Sequence, residues 1–250
     1  MSDVGFVFLP GGAMSAWVWR DLDADIRSRS VLVEGRITNN TAERRRSATL
    51  SDCVDHVQTA VHASGLQAFV IVAHSGAGAL APLMAKRMKE KVRGIIFVSA
   101  NIPPNGSTVQ KMLPLPIRVL NAFAVRMQLR HDSTPARGRE KQIRAMFCNT
   151  ASQEVVDYVS QQSLLSEPLC VLRESVDWSG VPKIPMTYVR LLHDKTASLE
   201  LQNRMAANLG IHDFYDIDSD HMVMLSHPAE FNAALRSITK RFCDTWADRR

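Results

Sequence analysis

Apolar residues in this chain gather into short, nearly unbroken runs, and the stretches between them carry helical spacing. The runs cover residues 4–9, 30–33, 69–73, 94–99, 185–192 and 214–217. A continuous run rich in β-branched residues suits a strand covered on both faces, as in a parallel sheet. Helical segments are predicted over 15–28, 50–63, 79–91, 199–209 and 228–242. In the second of these Ser51 is a candidate cap, and Val54, Val57 and Val61 share one face. From 104 to 182 the alternation of strand and helix stops. Leu113, Ile117, Leu120, Phe123 and Met127, then Val155, Tyr158 and Val159, recur at helical spacing, which predicts a helical insertion whose methionines and aromatics pack a core. The expected architecture is α/β: a mostly parallel six-stranded sheet flanked by helices. Residues 1–103 and 183–250 would form its core and 104–182 a helical cap.

In such a sheet, sites collect at the carboxyl ends of the strands, and polar candidates stand there. The run 69–73 breaks into Ala73-His74-Ser75-Gly76-Ala77-Gly78, followed at once by a helical segment. A sharp strand–turn–helix elbow presenting a serine hydroxyl needs small neighbours on both sides. Alanine replaces both glycines of the usual Gly-x-Ser-x-Gly, so an ordinary turn is the alternative. A serine is a weak nucleophile until a base takes its proton, and the base needs a carboxylate to fix its tautomer. Asp194 after the fifth run and His221 after the sixth supply these groups in the order Ser, Asp, His. The backbone N–H groups of Gly12 and Gly76 are the candidate oxyanion donors. His193 and His227 are weaker candidates for the base, and Asp218 or Asp220 could orient something. His74 is expected to pack beneath the elbow.

Composition narrows the partners. A net charge of +5 is mild, and basic residues are scattered without interleaved aromatics, so nucleic acid is not expected as a partner. Cys53, Cys148, Cys170 and Cys243 stand far apart with no Cys-x-x-Cys pair, which favours reduced thiols over disulfides or a metal site. With no leader-like start and no run long enough to span a bilayer, a cytoplasmic protein without membrane contact is expected. The triplet Arg44-Arg45-Arg46 reads as a solvated loop. The same holds for Arg118, Arg126, Arg130, Arg137, Arg139 and Arg144 as a solvated helix face, with attraction of an acidic substrate as the other reading.

The chain also resembles the α/β-hydrolase superfamily, in the branch of small esterases that includes plant methylesterases and hydroxynitrile lyases. Three stretches carry the likeness: Leu9 to Trp19 with its Trp-x-Trp, Ala73 to Gly78, and Ser99 to Gly106. A fourth is Asp194 with Gln202, followed by Ser219-Asp220-His221-Met222-Val223-Met224-Leu225-Ser226-His227-Pro228. The resemblance implies Ser75 as nucleophile, Asp194 as acid, His221 as base, Gly12 and Gly76 as oxyanion donors, and a helical cap. Pro10 stands where the family usually has histidine, and Ala77 where it has glycine, which adds a methyl at a tight crossing. The lyases of the branch carry a threonine where Gly11 stands and a lysine where Met222 stands, so their cyanide chemistry is disfavoured. The expectation is therefore a cofactor-free, metal-free hydrolase of a small aryl or alkyl ester, methyl esters included. A hydroxynitrile-lyase-like enzyme and a ligand receptor with a vestigial triad are the alternatives. The sequence leaves assembly open, with a homodimer among the options.

Overall fold

The computed structural model describes residues 4–112, 133–135 and 137–247. β1 (Gly5–Leu9), β2 (Ser30–Leu32), β3 (Phe69–His74), β4 (Val92–Val98), β7 (Met186–Leu191) and β8 (Asp213–Ile217) form one sheet in the order β2-β1-β3-β4-β7-β8, with every pairing parallel. The two remaining strands, β5 (Ser133–Pro135) and β6 (Ser163–Leu165), pair antiparallel with each other apart from that sheet. In the main sheet Leu9 lies opposite Ala73, His74 opposite Val98, Val98 opposite Val189, and Leu191 opposite Ile217. This register ends neighbouring strands at one level, so the loops after β1, β3, β4, β7 and β8 leave along one edge.

The continuous apolar runs serve both faces at once. Along β1 and β3, Val7, Leu9, Phe69, Ile71 and Ala73 join one core cluster, while Phe6, Phe8, Val70 and Val72 join the other. Helix Leu50–Ser64 covers the first face through Leu50, Cys53, Val54, Val57 and Val61. Helix Pro228–Ala247 and Trp19 help to cover the second. Each such side chain, fully buried, contributes about 1.5–3 kcal/mol.

The structure departs from the sequence reading in four places. Residues 15–28 do not form one helix: a 3₁₀ turn, Ala16–Trp19, is followed by a short helix, Ala24–Arg27, because Asp23 takes an extended ψ of 148° before it. The cap of helix Leu50–Ser64 is Thr49 rather than Ser51. Its hydroxyl accepts from the Asp52 N–H at 3.1 Å and the Asp52 carboxylate accepts from the Thr49 N–H at 2.8 Å, a reciprocal capping box. The arginine triplet is not a loop but belongs to helix Ala42–Ser47. There Arg44 pairs with Asp52 and Arg45 is fully buried, donating to the Asn40 carbonyl. The insertion has helices Glu140–Met146, Gln153–Ser160 and Leu169–Arg173, but also the β5–β6 pair. The helix expected through Leu113, Ile117, Leu120, Phe123 and Met127, with Arg118, Arg126 and Arg130, lies outside the described residues. Cys53 and Cys170, distant in sequence, are free thiols whose sulfurs lie 3.7 Å apart. The Cys170 thiol and burial together push the Cys53 thiol far above the usual range.

The tight crossing expected at Ala77 falls one residue later. A Cβ on Gly78 would lie 2.6 Å from the Asn101 carbonyl oxygen and 2.9 Å from its carbonyl carbon and nitrogen. Backbone cannot yield as a side chain can, so Gly78→Ala is expected to cost about 1–3 kcal/mol, read from urea unfolding. The capping box makes a pH-dependent prediction. The Thr49 N–H, the Arg44 guanidinium and the Thr49 hydroxyl hold the Asp52 carboxyl down at about 2. Its stabilisation is complete above the ordinary carboxylate pKa and is lost as pH falls through about 2. Asp52→Ala should therefore cost about 1 kcal/mol at neutral pH. That difference should shrink toward zero in acid, as measured by unfolding of both proteins across pH.

Candidate active site

β3 is buried throughout and stops at His74, and Ser75 opens the 3₁₀ turn Ser75–Ala79. Ser75 has φ +50°, a left-handed conformation that costs an L-residue about 1–2 kcal/mol. Packing on both sides holds it there. The Ser75 carbonyl accepts from the Asn101 N–H at 2.8 Å, and Gly78 leaves the room in which that loop passes. On the other side, a Cβ on Gly76 would lie 3.4 Å from the Gly12 nitrogen, so the β1 loop runs directly beside the elbow. The Gly12 N–H donates to no group among the described residues. The Gly76 N–H belongs to the first turn of its helix, where no intrahelical acceptor exists. Ser75 itself is half-buried.

Asp194 and His221 meet in the interior. His221 Nδ1 lies 2.6 Å from Asp194 Oδ2, with side-chain exposures of 2% and 0%. Ser99, at the end of β4 with φ +39°, donates to the same oxygen at 2.6 Å. The other oxygen accepts from the Thr196 N–H at 2.6 Å, the Thr196 hydroxyl at 2.8 Å and the Ala197 N–H at 3.1 Å. Burial pushes the Asp194 carboxyl up, but the His221 ring and the hydrogen bonds from His221, Ser99 and Thr196 outweigh it and hold the group well below the usual carboxylate range. An ionised Asp194 can only accept, so Nδ1 carries the His221 proton and Nε2 is left as the basic nitrogen. The Thr196 hydroxyl also lies 2.9 Å from Nδ1, bracketing the ring. Gln202, fully buried, ties the Asp194 loop to its strand: it accepts from the Leu191 N–H at 3.0 Å and donates to the Leu191 and Ala197 carbonyls at 2.9 Å.

His74 packs beneath, as its position implied. Its ring centroid is 4.5 Å from that of His221, and its Nε2–H donates to the His221 carbonyl at 2.9 Å. Burial, then the facing His221 ring, push His74 well below the ordinary imidazole range, so it stays neutral. The alternative bases and acids are occupied elsewhere. His193 pairs with Asp218 at 2.5 Å on the exposed side, and His227 meets the Ser219 hydroxyl at 2.8 Å. The fully buried Asp220 accepts from Thr150, Met222 and Ser226, which anchors the His221 loop to the inserted segment. Sequence reasoning missed the roles of Ser99 and Thr196 toward Asp194; Asp220, read there as able to orient something, anchors the His221 loop.

The structure thus joins Asp194 to His221 and sets Ser75, Gly12 and Gly76 along the same edge. Among the described residues no hydrogen bond links the Ser75 hydroxyl to His221. Such contacts are often long without substrate and tighten on binding. No group of three or more His, Cys, Asp or Glu side chains suited to hold a metal ion occurs among the described residues, and no described helix is long and apolar enough to cross a membrane.

Comparison with known proteins agrees with the fold. A carbendazim hydrolyzing esterase from Nocardioides sp. (strain SG-4G) is 25% identical over 113 residues, 44% of this chain and 47% of that protein, so the match spans less than half of the relative. An extracellular alpha/beta-hydrolase from a Paenibacillus species, described as sharing structural and functional homology with tobacco salicylic acid binding protein 2, superposes with a TM-score of 0.76 at 19% identity. It covers 94% of this chain and 98% of that one. A methylesterase from Arabidopsis superposes with a TM-score of 0.68 at 18% identity, over 94% and 99% of the two chains. The model of the alpha/beta hydrolase family matches residues 6–234. That match takes in every strand of the main sheet together with Ser75, Asp194 and His221, and the chain belongs to the alpha/beta hydrolase family.

Proposed function

We propose that the protein hydrolyses a small carboxylic ester, aryl or alkyl, methyl esters included, through an acyl-enzyme on Ser75. The observation that carries this reading is the buried 2.6 Å contact between His221 Nδ1 and an Asp194 held ionised, at the strand edge where Ser75 is forced into a left-handed turn. Ser75 Oγ attacks the ester carbonyl carbon while His221 Nε2 takes its proton. The carbonyl oxygen gains the negative charge and accepts from the Gly12 and Gly76 N–H groups. When the tetrahedral intermediate collapses, the imidazolium returns the proton to the departing alkoxide and leaves an acyl ester on Ser75. Water then attacks, giving up a proton to Nε2, and the carboxylic acid departs as Ser75 recovers its hydrogen. Each oxyanion donor of this kind is worth about 3–4 kcal/mol in the transition state. The ester-cleaving neighbours and the family support hydrolysis in general. Gly11 and Met222, in place of a threonine and a lysine, weigh against a lyase.

Two measurements test the reading. Stopped-flow release of nitrophenol from p-nitrophenyl acetate should show a stoichiometric burst followed by steady turnover. Ser75→Ala and His221→Ala should each lower kcat by about a million-fold, with the double variant little worse. Additive losses, or a wild type without Ser75-dependent release, would contradict the proposal, and a burst without turnover would transfer support to a receptor or lyase. Asp194→Asn should retain the fold but lower kcat by about ten-thousand-fold, because an amide can donate to Nδ1 and fix the wrong tautomer of His221. Unchanged turnover in this variant would remove Asp194 from the triad.

A further inference from the structure

We infer that Glu167 and Arg36 form a buried brace that holds the Gly12 N–H in position, which makes them positioning residues for the reaction. The inference rests on the reading of Gly12 as an oxyanion donor. No Cβ opposes rotation of the peptide that carries the Gly12 N–H, and its carbonyl accepts a 3.2 Å bond from the Met14 N–H. The loop is nonetheless tied down on both sides of that peptide. Before it, the Pro10 carbonyl accepts from Arg36 Nη2. Behind it, the Ala13 N–H donates to Glu167 Oε1 at 2.7 Å, and the Ala13 carbonyl accepts from the Leu165 N–H at 2.8 Å. Arg36 Nε meets Glu167 Oε2 at 3.3 Å, which closes the ring of contacts.

Three observations set this apart from an ordinary surface ion pair. Arg36 and Glu167 have side-chain exposures of only 3% and 13%, so both are taken largely out of water; Arg36 Nε and Nη2 are bonded there, while its Nη1 has no hydrogen-bond partner among the described residues. Ala13 has φ +62°, a conformation that an alanine keeps only when its surroundings enforce it. The contacts at its N–H and carbonyl are what enforce it here. Moreover, Arg36 comes from the loop after β2 and Glu167 from the insertion, so the placement of Gly12 depends on the insertion being docked. A loop held this way presents a preorganised donor. Without the brace, the 3.2 Å bond from the Met14 N–H to the Gly11 carbonyl is the remaining hydrogen bond on the Gly11–Gly12 peptide, and the donor is held less firmly.

The test uses two variants that lose the same charges and differ only in whether Ala13 keeps an acceptor: Arg36→Met with Glu167→Gln, and Arg36→Met with Glu167→Met. Replacing a buried ion pair by uncharged side chains of similar volume is commonly neutral for stability, so both should fold. An aryl trifluoromethyl ketone adds to the serine as an oxyanionic hemiketal and reports on the donors, and p-nitrophenyl acetate gives kcat and KM separately. The expected result is that the Glu167→Met variant binds the ketone about 10- to 100-fold more weakly than the Glu167→Gln variant and loses kcat by a similar factor, while KM stays within about threefold. Amide exchange at Ala13, followed in the folded protein, should be faster in the Glu167→Met variant. Equal ketone affinity and equal kcat in the two variants, beside a wild type that binds the ketone and turns over, would overturn the brace alone. A wild type that neither binds the ketone nor shows a Ser75-dependent burst would overturn the esterase reading beneath it.

Discussion

A buried carboxylate must have its oxygens satisfied or it will not remain charged, and Asp194 imposes that condition on much of the upper edge of the sheet. Five hydrogen bonds converge on it, from Ser99 after β4, from Thr196 and Ala197 in its own loop, and from His221 after β8. Each donor belongs to a segment that has to end at a particular level, and the register of the parallel strands sets that level. Gln202 fixes the Asp194 loop to β7, Asp220 fixes the His221 loop to the insertion, and His74 supports the His221 carbonyl from below. The network accounts for the left-handed φ of Ser99, whose hydroxyl reaches the carboxylate only from that turn.

How much of this was readable in the sequence follows from how local each signal is. The six main strands were legible because parallel strands covered on both faces leave unbroken apolar runs, and Ser75, Asp194 and His221 stand at the ends of three of them. The helical cap at Thr49 was misread as Ser51 because the capping box is told by Asp52 three residues later, not by the serine between. The burial of Arg45 is not legible in the triplet, because it depends on what folds over the side chain, here with the Asn40 carbonyl as acceptor. The β5–β6 pair was not legible because its three-residue strands, one of them Ser-Thr-Pro, leave no apolar run in a segment dominated by helical spacing. Ser99, Thr196 and Arg36 escaped notice for a further reason: their roles exist only once segments far apart in sequence meet.

The same distinction separates the family assignment from the chemistry. The alpha/beta hydrolase match extends over residues 6–234. The esterase proposal rests on one edge of the sheet, where Ser75 takes a left-handed turn beside the Gly12 loop and His221 meets Asp194. Contacts outside that edge decide whether the groups stay aimed, and several come from the insertion: Thr150 to Asp220, the Phe147 carbonyl to the Met222 N–H, Leu165 and Glu167 to Ala13. The insertion is therefore part of the site's framework.

The strand order carries a geometric consequence. β3 and β8 are separated by β4 and β7, three interstrand spacings, or about 14 Å at the edge where the loops emerge. Yet the His221 ring rests against His74, the last residue of β3. The segment after Ile217 must therefore lean back across the intervening strand ends like a boom of set length. For this site the number of residues between Ile217 and His221 is as binding as their identity: a chain one residue shorter there could keep Ser75, Asp194 and His221 unaltered and still leave its imidazole hanging over the wrong strand.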